Sequence, residues 1–309
     1  MTFTPVEVVV EVPATSANLG PGFDSLGLAL GLTDRIEARL TAEGPITVEV
    51  RGEGAGRVPL DAANLVAQIV RTGLATFDES GELLHRGLTL TCTNSIPHSR
   101  GLGSSAAAIV GGLVAAAHLA GVSGAVSPAE MIALATRLEG HPDNVAAGVL
   151  GGATIAWMQS GALGQVGRAT RFEVHPDVQP VLVVPDDEAS TSRARGALPA
   201  SVPFADAAFN VARSALLIHA LGSDPGLLLE ATDDRLHQQQ RRSVYPASVQ
   251  LVGALRERGI AAAISGAGPS VIAFSVGDGP GLAEQLAALV GAGARALPLP
   301  VSARGVTAG

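Results

Sequence analysis

Residues 96–107, IPHSRGLGSSAA, hold the chain's best candidate for anion chemistry. Gly101 and Gly103 free the backbone to turn so that successive N–H groups converge, with no Cβ to block an approaching anion. Ser104 and Ser105 can cap the helix that follows, offer hydroxyl donors, or ligate Mg2+. The helix start adds unpaired N–H groups and the positive end of its dipole. Taken alone, the segment reads equally as a phosphate cradle or as a cap on a helix of small residues. The basic residues narrow the options. All 20 are arginine, and no lysine is present. Phosphate-loop NTPases of the G-x-x-x-x-G-K type and protein kinases both put a lysine on the nucleotide phosphates, so neither chemistry is open. Schiff-base catalysis through lysine is closed too.

Residues 13–24, PATSANLGPGFD, are longer than a turn between two strands requires. Asn18 and Asp24 can offer an amide and a carboxylate to an amino-acid or sugar-like ligand; a wide surface loop that satisfies its own backbone is the alternative. Residues 139–144, EGHPDN, gather Glu139, His141, Asp143 and Asn144 between two helical segments. The two-His zinc spacing is missing, and a carboxylate holding Mg2+ together with phosphate oxygens suits the set better. A helix-capping turn competes with that reading. Residues 265–270, SGAGPS, are either a tight connection or a second anion-facing nest around Gly266. Arginines follow at 193 and 195, just after Thr191, and at 235, 241 and 242. Arginine suits bidentate capture of a carboxylate, but spacing singles out none of them.

The elements that must hold these segments follow from pattern. Alternating runs at 6–12, 34–40, 47–51 and 88–93 read as strands. Asp61 precedes an amphipathic helix over 62–77, and Ser127-Pro128 opens another to about 138. Residues 104–120 are apolar on nearly every face, which marks a central helix. A strand at 154–158 precedes a glycine-rich stretch, 160–167, that reads as a loop and a domain edge. The second half carries strands at 181–184, 261–265, 271–275 and 295–299, and helices at 204–221, 246–258 and 281–290. That order is α+β rather than doubly wound. The expected division is 1–160 and 161–309.

A net charge of −8 without a basic block argues against a nucleic-acid or anionic-membrane partner. Cys92 is the single cysteine, which excludes an internal disulfide and a cysteine-based metal site. The first residues carry Glu7 and Glu11 and no basic region, unlike a signal peptide, so a cytoplasmic location is expected. Residues 101–129 lack Asp, Glu and Arg, but Gly111, Gly112, Gly121, Gly124 and Pro128 cut them below the ~20 apolar residues of a membrane span.

Together the segments resemble the GHMP kinase superfamily and, within it, the homoserine kinase family, through PATSANLGPGFDSLGLAL at 13–30, the glycine–serine loop, and EGHPDNVAAGVLGG at 139–152. The resemblance implies an N-terminal domain of the ribosomal protein S5 domain 2 type and a ferredoxin-like C-terminal domain. It implies transfer of the ATP γ-phosphoryl group to L-homoserine on the route to threonine, with Mg2+, and a homodimer as a family-level expectation. Pro97, His98, Ser99, Arg100, Gly101, Leu102, Gly103, Ser104, Ser105, Ala106 and Ala107 match the ATP loop. Ser105 and Glu139 fall at Mg2+ positions; Asn18, Asp24, His141, Thr191, Arg195, Arg241 and Gly266 fall at substrate positions. Glu139, Asn144 and Thr191 are the expected catalytic set. Gln239 and Gln240 depart from the family's Pro and aromatic residue, which leaves Arg242 as an alternative to Arg241; His98-Ser99-Arg100 is a bulkier lead into the loop than the family pattern. Related kinases place an aspartate base where Asn144 stands. An amide cannot take a proton at neutral pH, so positioning and charge neutralisation are expected to carry the transfer.

Overall fold

The computed structural model describes residues 5–161, 164–188 and 190–309. The first strand, β1 (Val6–Asn18), begins in alternation, with Glu7 and Glu11 outward and Val8, Val10 and Val12 inward. From Pro13 both faces are buried, so small residues replace the alternation. It pairs antiparallel with β2 (Gly22–Thr41), and the register shifts between Pro13 and Ala14, where the missing proline N–H is tolerated at a bulge. Thr15, Ser16 and Ala17 then continue the ladder opposite Ala29, Leu28 and Gly27. Residues 13–24, expected as a wide loop, are therefore mostly strand around a turn at 19–21.

β3 (Ile46–Gly52) leads to α1 (Leu65–Phe77). Asn64, not Asp61, caps that helix through Val66 N–H, while Asp61 accepts from Ala63 N–H in the turn before it. β4 (Gly87–Asn94) runs antiparallel to β2 and parallel to β3, and Cys92 on it is a core residue whose thiol burial pushes up to about 12. α2 (Ser104–Leu119) is buried almost all round, as its uniform apolarity predicts. Its Gly111 and Gly112 leave no room for a Cβ against Ile36 and Ile69, at 2.7 Å each. α3 (Pro128–Glu139) starts at a Ser127/Glu130 capping box, and α4 (Asp143–Leu150) follows at once. β5 (Ala153–Gly161) and β6 (Gly164–Phe172) extend the first sheet beyond β2.

The expected division at 160/161 falls within a β-ladder. Ser160 pairs with Gln165 and Gly161 with Gly164, so both sides of it belong to one seven-stranded sheet, which extends to Phe172. Hydrogen-bonded ladders, rather than the glycine content of 160–167, set the edge.

The second sheet contains β7 (Val178–Pro185), after which come α5 (Thr191–Gly196), α6 (Phe204–Gly222), α7 (Leu228–Ala231) and α8 (Pro246–Glu257). β8 (Ala261–Ile264), β9 (Val271–Val276), α9 (Gly279–Val290) and β10 (Ala294–Pro298) close it in the order β10-β7-β9-β8. That is the antiparallel, ferredoxin-like arrangement. The chain then returns to the first sheet, where β11 (Thr307–Ala308) pairs with Val10 and Glu11. Among the described residues no helix is long and apolar enough to cross a membrane.

One buried carboxylate fixes the lead into the loop of interest. Asp34 on β2 accepts from Ser95 N–H at 2.7 Å and Ile96 N–H at 2.9 Å. Burial outweighs those bonds and raises its pKa from the ordinary 3.8 to about 6. The folded state thus holds the proton more tightly than the unfolded one, so stability is greatest below the unfolded pKa and is lost as pH rises through about 6. The shift corresponds to about 3 kcal/mol. Urea unfolding of the ligand-free protein between pH 4 and 7 should therefore give a flatter profile for Asp34→Asn, which keeps an acceptor for both N–H groups. Parallel profiles for the two proteins would contradict the account.

Candidate active site

A cleft of about 150 Å³ opens where the start of α2, the end of α3, the first turn of α4 and the 265–270 turn of the second sheet meet. Its floor is the glycine–serine loop. Gly101 and Gly103 have φ of +74° and +71°, in the left-handed region that glycine enters at low cost. Thr15 N–H donates to Leu102 O at 3.0 Å, which ties the loop to β1. Ser265 Oγ donates to Gly101 O at 2.6 Å, and Ser270 N–H reaches Arg100 O at 3.3 Å, which ties it to the second sheet.

Not every residue of 97–107 faces the cleft. Ala106 and Ala107 turn their side chains into the core, and Ala107 N–H is already spent on Gly103 O at 2.8 Å. Helix geometry requires this: beyond the first turn each N–H belongs to the carbonyl four residues back. His98 packs against Gly54 rather than the cleft, and burial lowers its pKa. The Arg100 guanidinium leaves the loop and donates to Pro185 O at 2.9 Å and Asp186 O at 2.6 Å. It works as a strap between the domains, while its Nη1 also donates back to His98 O at 3.0 Å within the loop. The 265–270 turn is not a second nest either, since Gly266 N–H is used by Ala17 O and Gly268 N–H by Ser265 O. Gly266 instead offers its carbonyl.

The acidic side of the cleft is built from α3 and α4. Ser105 Oγ donates to Glu139 Oε2 at 2.8 Å, and burial raises the Glu139 pKa against that bond. A half-buried carboxylate with one hydroxyl partner is an oxygen donor pair that suits a hard cation. Among the described residues no three acidic, His or Cys side chains converge to hold a metal alone, so any cation here would need ligand oxygens as well. Asp143 is 3% exposed, and burial pushes it to about 7. Next to it, Asn144 accepts a hydrogen bond from Thr15 Oγ1 at 2.8 Å.

The opposite wall holds the arginines. Asn18, at φ +68°, donates from Nδ2 to Gly266 O at 2.8 Å and accepts from Asp24 N–H at 2.9 Å. Asp24 forms a bidentate pair with Arg195 at 2.5 and 3.2 Å. His141 lies beside that pair, with its pKa lowered first by burial and then by Arg195. A short 3-10 turn, Gln239–Ser243, sets Arg241 and Arg242 apart: Arg241 is 1% exposed and lines the cleft, while Arg242 points to solvent and meets Gln239. Thr191 begins α5; its side chain lies outside the described residues.

His237 was not singled out in the sequence, yet it holds Arg241. Its Nε2 lies 2.7 Å from Gly20 O and must donate, which leaves Nδ1 to accept from Arg241 Nη1 at 3.0 Å. Burial lowers its pKa, consistent with that neutral tautomer. Asp234 anchors the same stretch by accepting from the N–H groups of Leu236, His237 and Gln238 and from Asn210 Nδ2. No local signal marks the pair, because His237 sits in a bend before the 3-10 turn that carries Arg241.

The chain is similar to known proteins along nearly its whole length. Residues 64–152 match the family described as GHMP kinases N terminal domain, and residues 215–292 match GHMP kinases C terminal. The homoserine kinase of Streptomyces avermitilis is 48% identical over 306 residues, covering 99% of this chain and 96% of the relative. That of Clavibacter michiganensis is 50% identical over 283 residues, covering 92% and 86%. Among solved structures, homoserine kinase from Cytophaga hutchinsonii superposes with a TM-score of 0.81 at 24% identity, over 100% of this chain and 99% of that one. Mevalonate diphosphate decarboxylase from Enterococcus faecalis shares the fold with a TM-score of 0.68 at 13% identity, over 99% of each.

Proposed function

The chain belongs to the GHMP kinases and, within them, to the homoserine kinases, and from that membership we infer how its cleft carries out the ATP-dependent phosphorylation of L-homoserine to O-phospho-L-homoserine. The observation that carries the residue assignments is the pairing of opposite charges across from the glycine loop. In the ligand-free protein Asp24 and Arg195 satisfy each other. An amino acid carries both charges itself, so its ammonium can replace Arg195 at Asp24 while its carboxylate takes Arg195 and Arg241. Asn18 and His141 complete that end. Substrates without an α-amino group would leave Asp24 to lose a partner with nothing in return. That is the basis for choosing homoserine over mevalonate, shikimate or a sugar.

At the other end, the N–H groups of the loop and of the first turn of α2 receive the ATP phosphates. Ser105 and Glu139 would hold Mg2+ there, an ion that screens phosphate charge when bound. The substrate hydroxyl oxygen forms a bond to Pγ as the β–γ bridging bond breaks and ADP departs, and the hydroxyl proton passes to a phosphoryl oxygen. Asn144 orients the hydroxyl without taking the proton. The cytoplasm as its location and a homodimer as its assembly belong to this reading as well.

Turnover measured with ATP and a panel of L-homoserine, mevalonate, shikimate and galactose tests the substrate. Phosphorylation of mevalonate but not homoserine would end the assignment. In the same assay Asn144→Asp should leave kcat no higher than in the wild type, because no base is missing. A rise of orders of magnitude at unchanged substrate affinity would mean that a missing base limits the reaction.

A further inference from the structure

Thr15 lies under the cleft, 1% exposed, and touches both halves of the reaction site. Its N–H donates to Leu102 O at 3.0 Å, within the phosphate loop. Its Oγ1 donates to Asn144 Oδ1 at 2.8 Å, on the acceptor side. The hydroxyl also fills the space beside Gly103, where a Cβ would stand 2.0 Å from Oγ1 and 3.1 Å from Asn144 Oδ1. The amide oxygen of Asn144 is therefore turned toward the loop and the threonine. Its Nδ2 is turned the other way, 3.5 Å from Asp143 Oδ1. A flipped amide would set its oxygen against the Asp143 carboxyl group and give up that attraction.

Resting on the kinase reading above, we propose that Thr15 is a positioning residue of the transfer, whose hydroxyl locks the Asn144 amide with Nδ2 as the group offered to the acceptor hydroxyl. A donor at that place leaves the hydroxyl proton free to point at the phosphoryl group. Loop and amide share one threonine, so their separation is set by one residue of β1. Errors of about 1 Å in such a distance cost large factors in rate.

Thr15→Ser and Thr15→Ala both lose the methyl group and differ only in the hydroxyl, so their comparison isolates the hydrogen bond. In the full-length protein Thr15→Ser should keep kcat within about threefold, while Thr15→Ala should lower it about 10- to 100-fold. KM for ATP should stay within about threefold in both. In an Asn144→Ala background the serine and alanine variants should turn over alike, because the amide to be held is gone. Equal kcat for the two variants in the wild-type background, or an undiminished difference in the Asn144→Ala background, would overturn the proposal. Should Thr15→Ala fail to fold, the Ser-to-Thr comparison in both backgrounds decides: a loss with serine that persists without Asn144 sinks it, and retention of rate supports it. A wild type inactive on homoserine would instead strike the kinase reading, so the two failures are separable.

Discussion

Gly103→Val should lower kcat/KM for ATP by at least about 10³-fold, a loss of about 4 kcal/mol in transition-state stabilisation. Two costs combine. The residue sits at φ +71°, where a β-branched side chain is strained by about 1–2 kcal/mol. The added Cβ would also stand 2.0 Å from Thr15 Oγ1 on a paired interior strand that cannot withdraw. The sequence alone suggested that a side chain here would obstruct the phosphates. The structure adds that it would first displace Thr15 and Asn144, so both ends of the reaction should suffer. Gly121→Val is the matching control, since Gly121 has φ +73° with nothing within 4 Å of its Cβ position, and activity should persist. Calorimetric titration with a non-hydrolysable ATP analogue reads the effect. Unchanged nucleotide affinity in a folded Gly103→Val protein would remove the loop from the ATP site.

The second large effect is expected at Arg241. Its guanidinium is buried, donates from Nε to Ala194 O at 3.4 Å and from Nη1 to His237 and Gly266 O, and stands 5.7 Å from the Phe23 ring. None of those hydrogen-bond acceptors is a carboxylate and Asp234 and Asp24 act on it only through space, so an anionic ligand would supply the direct partner it lacks. Arg241→Met should raise KM for homoserine so that kcat/KM falls about 10²- to 10³-fold, with KM for ATP within about threefold. Lysine should not rescue it, because one ammonium cannot reproduce the planar fork that meets three acceptors and a ligand. Arg242→Met, one residue away on the solvent side, should change kcat/KM less than twofold. If Arg242 rather than Arg241 proved sensitive, the assignment of the buried arginine to the substrate carboxylate would be wrong.

Much of the site was legible because its chemistry is written in short contiguous runs. Gly101 and Gly103 free the backbone to turn, and Ser127-Pro128 with Glu130 reads as a helix start, whatever lies around them. The central place of residues 104–119 followed from their having no polar face. Reading failed where a residue's role depends on distant partners. Pro13 to Asp24 looked like a loop because prolines, glycines and polar residues usually turn; here both faces of the strand are covered, so small and polar residues stay in the ladder. Arg100 looked like a phosphate ligand, yet its guanidinium meets the carbonyls of Pro185, at the end of β7, and of Asp186 just after it. The stretch 160–167 looked like a boundary, yet its glycines sit within a paired β5–β6 ladder.

The glycine–serine loop shows the division most clearly. Its freedom to turn was legible in the sequence, since glycine adopts those angles at low cost. What lies 3 Å from it was not. Thr15 and Asn144 are separated by 129 positions, and Asp24 and Arg195 by 171, and no local propensity encodes such pairs. Only closure of the β1–β2 hairpin onto α4 and the second sheet brings them together, because the contact is fixed by burial and ladder register rather than by spacing along the chain.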